Sequence, residues 1–509
     1  MREQDEPEGL QSGELLWSCQ PAKNLILFRY FVTLAYVLAL YRTHHCRNVN
    51  LNDAKQSEGE TTMSMEKYLA FDLGASSGRA IVGIFKNGDL ELEEVHRFPN
   101  RMIRLLGRFH WDILQLFDEL KTGLAKAAAA GHKDIRSIGV DTWGVDFGLI
   151  GRKGELLGNP YAYRDMGNEW MHRAMDIIPK DELYKMTGIQ FMPLNSVFQL
   201  YRLVEEQSSL LDAAKKLLFI PDLLNYFLTG EMASEYTISS TSQLLDPWTK
   251  RWKKELFDKL GLPFHLMADI VPPGSKIGVL RKEIAEETGM PRVEVIAPAC
   301  HDTASAVAAV PAQGDDWAFL SSGTWSLIGV ESKQPIINDA ALAGNFTNEG
   351  GVNDKIRFLK NVAGLWLVQR CKADWDKNGA HFSFAELTTL AEKAGPAQCF
   401  IDPDDPRFTN PVSMPEAIAE YCRETDQPVP QTKGEYIRCA LESLAQRYKD
   451  VITHLNAFLP RPLKRLHIVG GGSKNNLLNR LTAESTGLEI IAGPAEATAM
   501  GNLMIQRNR

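Results

Sequence analysis

The chain runs to 509 residues, 44% of them hydrophobic and 24% charged, with a formal net charge of −8 at pH 7. That length exceeds what one hydrophobic core serves and predicts two large domains of ordinary water-soluble, globular composition. The acidic balance excludes a basic nucleic-acid-binding surface. Seven cysteines scattered without a CxxC pair give neither a metal site nor a disulfide framework, so a reducing compartment, the cytoplasm, is expected.

Residues 1–65 stand apart. Leu25 to Tyr41 is strongly apolar but interrupted by Arg29, and it falls short of the roughly 20 apolar residues of a membrane span. Met1 to Glu14 is mostly acidic rather than basic, and no small-residue cleavage site follows Tyr41, which argues against a secretory signal. A signal anchor is the competing reading. The expectation is an extension, disordered or non-native, with no membrane association unless 25–41 is a true anchor. The working protein would begin at the strand just after Met63 and Met65.

Tyr68 to Phe71 is a short apolar run of the kind that makes a buried strand, and it ends in Asp72. Gly74 and Gly78 with two serines form a turn, and Ala80 to Ile84 resumes an apolar strand. Such a hairpin can aim N–H and hydroxyl donors at a phosphate while its carboxylate faces magnesium. Taken alone, it is also compatible with an ordinary polar hairpin. Ile113 to Ala130 carries helical spacing, with Gly131 as its stop. Ile135 to Asp141 reads as a strand running into Asp-Thr-Trp-Gly-Val-Asp-Phe (141–147). Residues 165–260 are helical in pattern, broken at Pro193, Pro221 and Gly230. Val293 to Ala299 is a further strand; it leads into Cys-His-Asp-Thr (300–303) and a helix over 304–310. Pro311 to Asp316 has turn chemistry and marks the domain boundary.

The opening theme then returns. Trp317 to Leu320 is a strand, Ser321 to Thr324 a Gly/hydroxyl turn, and Trp325 to Val330 a second strand. Helical patterns follow over 361–377 and 434–458. Leu466 to Val469 is a strand, Gly470 to Asn475 a loop, and 476–487 a helix. The pattern is α/β, with a phosphate-suited hairpin opening each half.

No GxxxxGK[ST] occurs, so a Walker-type nucleotide loop is absent. The triple glycine 470–472 permits close approach of a ligand such as adenosine, and equally a simple tight turn. Asp302 sits where a helix starts, at the end of a buried strand, the place where open α/β sheets put ligands. It reads either as an N-cap or as an acid that orients a hydroxyl and accepts its proton late in phosphoryl transfer. Trp143 suits core packing or stacking on a sugar ring.

The motifs DLGASSGR (72–79), IGVDTWGVDFGL (138–149), PDLLNYFLTG (221–230), HDTASAV (301–307), LSSGTWSLIG (320–329), NEGG (348–351), LKNVAGLWLVQR (359–370) and HIVGGGSKNNLLN (467–479) resemble the FGGY carbohydrate kinases. The likeness extends from Tyr68 to the C-terminus. It implies an α/β fold of two actin-like (ribonuclease H-like) domains with an interdomain cleft. The sugar-binding domain would span 66–310 and the nucleotide-binding domain 311–509, the latter shortened at its end relative to family chains. It implies Asp302 as the proton acceptor. Ala75, Ser76, Ser77, Gly78, Arg79, Thr324, Gln369 and Gly471 would contact ATP. Gly144, His301, Asp302, Thr303 and Asn361 would contact the sugar, and Asp72 would hold Mg²⁺ through water. The implied reaction is transfer of a phosphoryl group from ATP to O1 of L-rhamnulose by a monomer or homodimer. The alternatives are another ketose or polyol kinase of the family, such as one acting on fuculose, and a non-catalytic binding relic.

Overall fold

The computed structural model describes residues 65–509. The expectations for residues 1–65, including the apolar stretch 25–41, lie outside the described residues except at Met65. The N-terminal half is built on six strands: β1 (Met65–Leu73), β2 (Ser77–Lys86), β3 (Asp89–Pro99), β4 (Ile135–Thr142), β5 (Ser275–Val279) and β6 (Glu294–Ala297). Their order in the sheet is β5-β6-β4-β1-β2-β3. β1 reads as a continuous apolar run because both of its faces are covered. Leu69 and Phe71 face a core with Leu116, Leu120, Leu223 and Leu224, whereas Tyr68 and Ala70 face Ala499 and Leu503.

Helix α1 (Ile113–Ala129) buries Ile113, Leu116, Leu120 and Leu124, the spacing of one helical face. The Asp112 carboxylate caps it by accepting from the Gln115 N–H, and Gly131 follows its end at φ +90°. Helix α2 (Ile220–Thr229) corrects one expectation: Pro221 lies in its first turn and starts the helix rather than breaking one. The N–H that proline lacks has no intrahelical partner at that position. Helix α3 (Asp302–Ala308) leads out of this half.

The C-terminal half contains β7 (Trp317–Ser322), β8 (Trp325–Ser332), β9 (Thr347–Gly350), β10 (Ile356–Ala363), α4 (Trp366–Lys377), α5 (Lys433–Asn456), β11 (Arg465–Val469), α6 (Asn476–Thr486), β12 (Glu489–Ala492) and α7 (Ala497–Arg507). Its sheet order is β9-β10-β8-β7-β11-β12. The two sheets repeat one plan. β1 is antiparallel to β2 and parallel to β4, as β7 is antiparallel to β8 and parallel to β11. The helix expected over 361–377 begins only at Trp366. Residues 356–363 pair with β8 along their whole length, and this pairing overrides local helical spacing.

Helix α7 returns from the C-terminal half to the N-terminal sheet. Asn502 Nδ2 donates to Asp141 Oδ2 at 2.6 Å, Gln506 Nε2 to the Leu69 carbonyl at 3.1 Å, and Ser137 Oγ to Gln506 Oε1 at 2.7 Å. α7 also crosses α3, where Gly501 lies so close that a β-carbon on it would stand 1.8 Å from the Ser305 carbonyl oxygen. No helix among the described residues is long and apolar enough to cross a membrane.

Candidate active site

Residues of both halves line a single cleft of about 440 Å³. Asp72, Ala75, Ser76, Ser77, Arg79, Gly144, His301, Asp302, Thr303, Thr324, Asn361, Gln369 and Gly471 all face it. Gly78, expected at the nucleotide, is not among the lining residues. It pairs with Leu73 across the hairpin, and a β-carbon there would meet the Phe98 ring at 2.3 Å, so its bareness serves packing.

The first hairpin closes tightly. The Gly74 N–H donates to the Ser77 carbonyl at 2.9 Å and Asn100 Nδ2 to the Gly74 carbonyl at 3.0 Å, leaving the serines toward the cleft. Asp72 and Arg79 face one another across the two strands and form an ion pair, and Arg79 also pairs with Glu496. In the second turn the Gly323 N–H bonds the Trp325 carbonyl, and Thr324 Oγ1 reaches Gln369 Oε1 at 3.3 Å. Gly364 lies beneath this turn: a β-carbon on it would be 2.6 Å from the Trp325 carbonyl carbon and 2.7 Å from the Thr324 oxygen. The GGG loop folds over β7, with Gly472 pressed against Ser322.

Asp302 opens α3, and its side chain keeps 29% of its surface exposed to the cleft. Its Oδ1 accepts from the Thr303 N–H at 2.5 Å and from Thr303 Oγ1 at 3.2 Å, and among the described residues no donor reaches Oδ2. Enclosure in the cleft raises its carboxyl above the ordinary aspartate range, against the lowering pull of His301 and the Thr303 N–H. Asp141 lies opposite Asp72 in the parallel β1–β4 register and is wholly buried. Burial pushes it well up and the Asp72 carboxylate adds to this, with Asn502 opposing. Asp72 is itself raised by burial, opposed by Arg79.

Trp143 resolves toward packing. It is 5% exposed, its indole N–H donates to Asp146 Oδ2 at 3.0 Å, and its ring sits 4.3 Å from that of Trp111, with one edge reaching the cleft. Asp146 gathers donors from Trp111, Trp143 and Gln199 and the Tyr163 N–H, so it is a structural hub rather than a reacting group. Burial lifts its carboxyl to about 6.

Sequence reasoning missed four groups that frame the cleft. Gln190 exchanges hydrogen bonds with the Asn361 backbone, Oε1 accepting at 2.8 Å and Nε2 donating at 3.0 Å. Glu496 holds Arg79. Glu349 and Arg357, 4% and 0% exposed, lie behind His301. A signal for Arg357 exists in the sequence, since it is a lone cation inside the apolar strand Ile356–Leu359, on the face shared with Asn361.

Comparison with known proteins agrees with this geometry. The model of the FGGY family of carbohydrate kinases, N-terminal domain, matches residues 67–309, and that of the C-terminal domain matches 318–507. Rhamnulokinase of Bacteroides thetaiotaomicron is 50% identical over 442 residues, 87% of this chain and 90% of that protein. Rhamnulokinase of Oceanobacillus iheyensis is 44% identical over 86% of this chain and 92% of its own length. The crystal structure of ligand-bound xylulose kinase from Lactobacillus acidophilus shares the fold, with a TM-score of 0.70 at 18% identity over 87% of this chain and 89% of that one. With both family models matched over most of its length, and two halves that repeat one sheet plan around a cleft, the chain belongs to the FGGY family of carbohydrate kinases.

Proposed function

We propose that this chain transfers the γ-phosphoryl group of ATP to O1 of L-rhamnulose, giving L-rhamnulose 1-phosphate and ADP. The observation that carries the proposal is Asp302. It is a partly exposed carboxylate with one unengaged oxygen, on the cleft between two phosphate-suited turns, in a chain half identical to a protein named rhamnulokinase. Residues 66–310 would hold the sugar, and residues 311–509 would hold the nucleotide.

Asp302 Oδ2 orients the O1 hydroxyl and accepts its proton as the O1–P bond forms and the bond from the γ-phosphorus to its bridging oxygen breaks. Oδ1 stays bound to Thr303, which fixes the carboxylate plane. The Ser76–Ser77 and Gly323–Thr324 turns supply N–H and hydroxyl donors to the phosphates, and Arg79 supplies charge. Asp72, with the unpartnered Oδ1 of Asp141 behind it, suits a hydrated Mg²⁺ held by one or two carboxylates and the substrate phosphates. Among the described residues no group of three or more His, Cys, Asp and Glu side chains is placed to cage an ion. When bound, Mg²⁺ would neutralise charge developing on the phosphates. Gly144, His301, Thr303 and Asn361 would hold the ketose.

The test is an ADP-coupled assay of the full chain with L-rhamnulose, L-fuculose and D-xylulose. L-Rhamnulose should be the preferred acceptor. Asp302→Asn should lower kcat by roughly 10²- to 10⁴-fold while circular dichroism and thermal unfolding stay unchanged. No turnover of any ketose by folded protein would remove the proposal, and full activity in Asp302→Asn would remove the assigned base.

A further inference from the structure

The C-terminal half places one arginine beneath the floor of the sugar side of the cleft. Arg357, on β10, is wholly buried, a costly position for a cation, and its Nη1 has no hydrogen-bond partner among the described residues. Its Nε donates to the Gly350 carbonyl at 2.8 Å. Its Nη2 lies 3.1 Å from Glu349 Oε2 and 3.0 Å from Nδ1 of His301, a residue of the N-terminal half. Burial lowers its affinity for a proton, and Glu349 and Asp302 oppose that, so the guanidinium stays charged.

A guanidinium has five donors and no acceptor. At 3.0 Å from Nδ1 it requires a lone pair there, so the ring proton belongs on Nε2. Glu349 Oε2 lies 3.1 Å from Nη2 and 3.4 Å from the same Nδ1 and forms a hydrogen bond with neither, so it acts through its charge, beside the guanidinium. The opposite ring nitrogen, Nε2, lies 3.5 Å from Asp302 Oδ1, and His301 lines the cleft. We infer that Arg357 is a positioning residue that holds His301 in its neutral Nε2–H tautomer, so that the ring donates to a hydroxyl oxygen of the acceptor sugar beside Asp302.

The consequence is a sugar-binding group completed by the other half of the molecule. His301 comes from the N-terminal half, while Arg357 and Glu349 come from β10 and β9. The Gly350 N–H anchors that edge by donating to Ser240 Oγ at 2.7 Å. This inference rests on the kinase reading above, but it has a readout that does not depend on turnover.

The test combines ¹⁵N-imidazole NMR at neutral pH with steady-state kinetics on the full chain. In the unmodified protein His301 should show one proton, on Nε2. Arg357→Met should let the ring populate the Nδ1–H form and raise KM for the ketose on the order of 2- to 10-fold, the loss of one hydrogen bond between uncharged partners, with KM for ATP unchanged. Arg357→Lys, which keeps a donor at this place, should restore much of the tautomer and of KM. A His301 in the unmodified protein that is protonated on Nδ1, alone or together with Nε2, would overturn the inference, as would Arg357→Met with ketose KM unchanged. Should Arg357→Met fail to fold, the spectrum of the unmodified protein and the lysine variant still decide. If no ketose is turned over, the kinase reading falls while the tautomer spectrum still decides this one.

Discussion

Replacing Gly501 with alanine sets two effects of opposite sign against each other. Gly501 lies inside α7, where alanine is intrinsically better in a helix by ~1 kcal/mol. Against that, the new methyl carbon would stand 1.8 Å from the Ser305 carbonyl oxygen, backbone that cannot rotate away. Ordinary contact begins at 3.4 Å, so α3 and α7 would have to part by 3.4 − 1.8 = 1.6 Å. Forcing a methyl into a packed crossing costs about 1–3 kcal/mol. Lifting α7 also strains the 2.6 Å bond from Asn502 to the buried Asp141 carboxyl, and a hydrogen bond of this kind contributes about 0.5–1.5 kcal/mol. The net expectation for Gly501→Ala is a loss of roughly 0.5–3.5 kcal/mol in urea denaturation. Because Ser305 lies only three residues after Asp302, kcat should also fall, and a displacement near 1 Å at a reacting group can cost about 10²-fold. A variant as stable as the parent, with undiminished kcat, would refute the tight crossing and its coupling to the site.

Two further substitutions probe other parts of the argument. Gly364→Ala should raise KM for ATP more than KM for the ketose, because its methyl would push on the Thr324–Trp325 turn from beneath; equal effects on both in steady-state kinetics would count against that turn as a nucleotide contact. His467 is buried with neither ring nitrogen partnered among the described residues, and burial lowers its pKa to about 4. The folded-state value lies below the unfolded one near 6.5, so its contribution to stability is full above pH ~6.5 and is lost as pH falls toward ~4, about 2 kcal/mol of it by pH ~5. His467→Leu should abolish that acid-side loss in urea titrations at the two pH values, and an unchanged pH dependence would show that another group is responsible.

Much of the frame was legible because strong local signals coincide with what tertiary structure requires. The apolar run before Asp72, its echo before Ser321, the alanine-rich helix after Asp112 and the strand–GGG–helix each fold as their patterns say. Placing Asn361 at the cleft was within reach only through the family resemblance, since nothing local specifies how the halves meet. Two kinds of residue escaped. Glycines that exist for packing, Gly78 against Phe98 and Gly501 against Ser305, look the same in sequence as glycines that exist for ligands. Arg357 and Glu349 gain their meaning from His301, which lies about 50 residues away in the chain and comes from the other half, a separation that no periodicity spans. Asn361 shows the limit from the other side: its helical spacing is real, yet pairing with β8 decides its conformation.

The duplicated sheet plan has a final consequence, because its two hairpins match in geometry and differ in charge. One pair before the end of the first ladder, Asp72 faces Arg79; at the equivalent step of the second, Ser321 faces Leu327. Repetition alone would give a nucleotide two interchangeable cradles and no preferred direction. With charge confined to one of them, a polyphosphate chain laid between the turns would have a head and a tail. Under the proposed function, the symmetry of the frame would supply the grip, and its breaking the polarity.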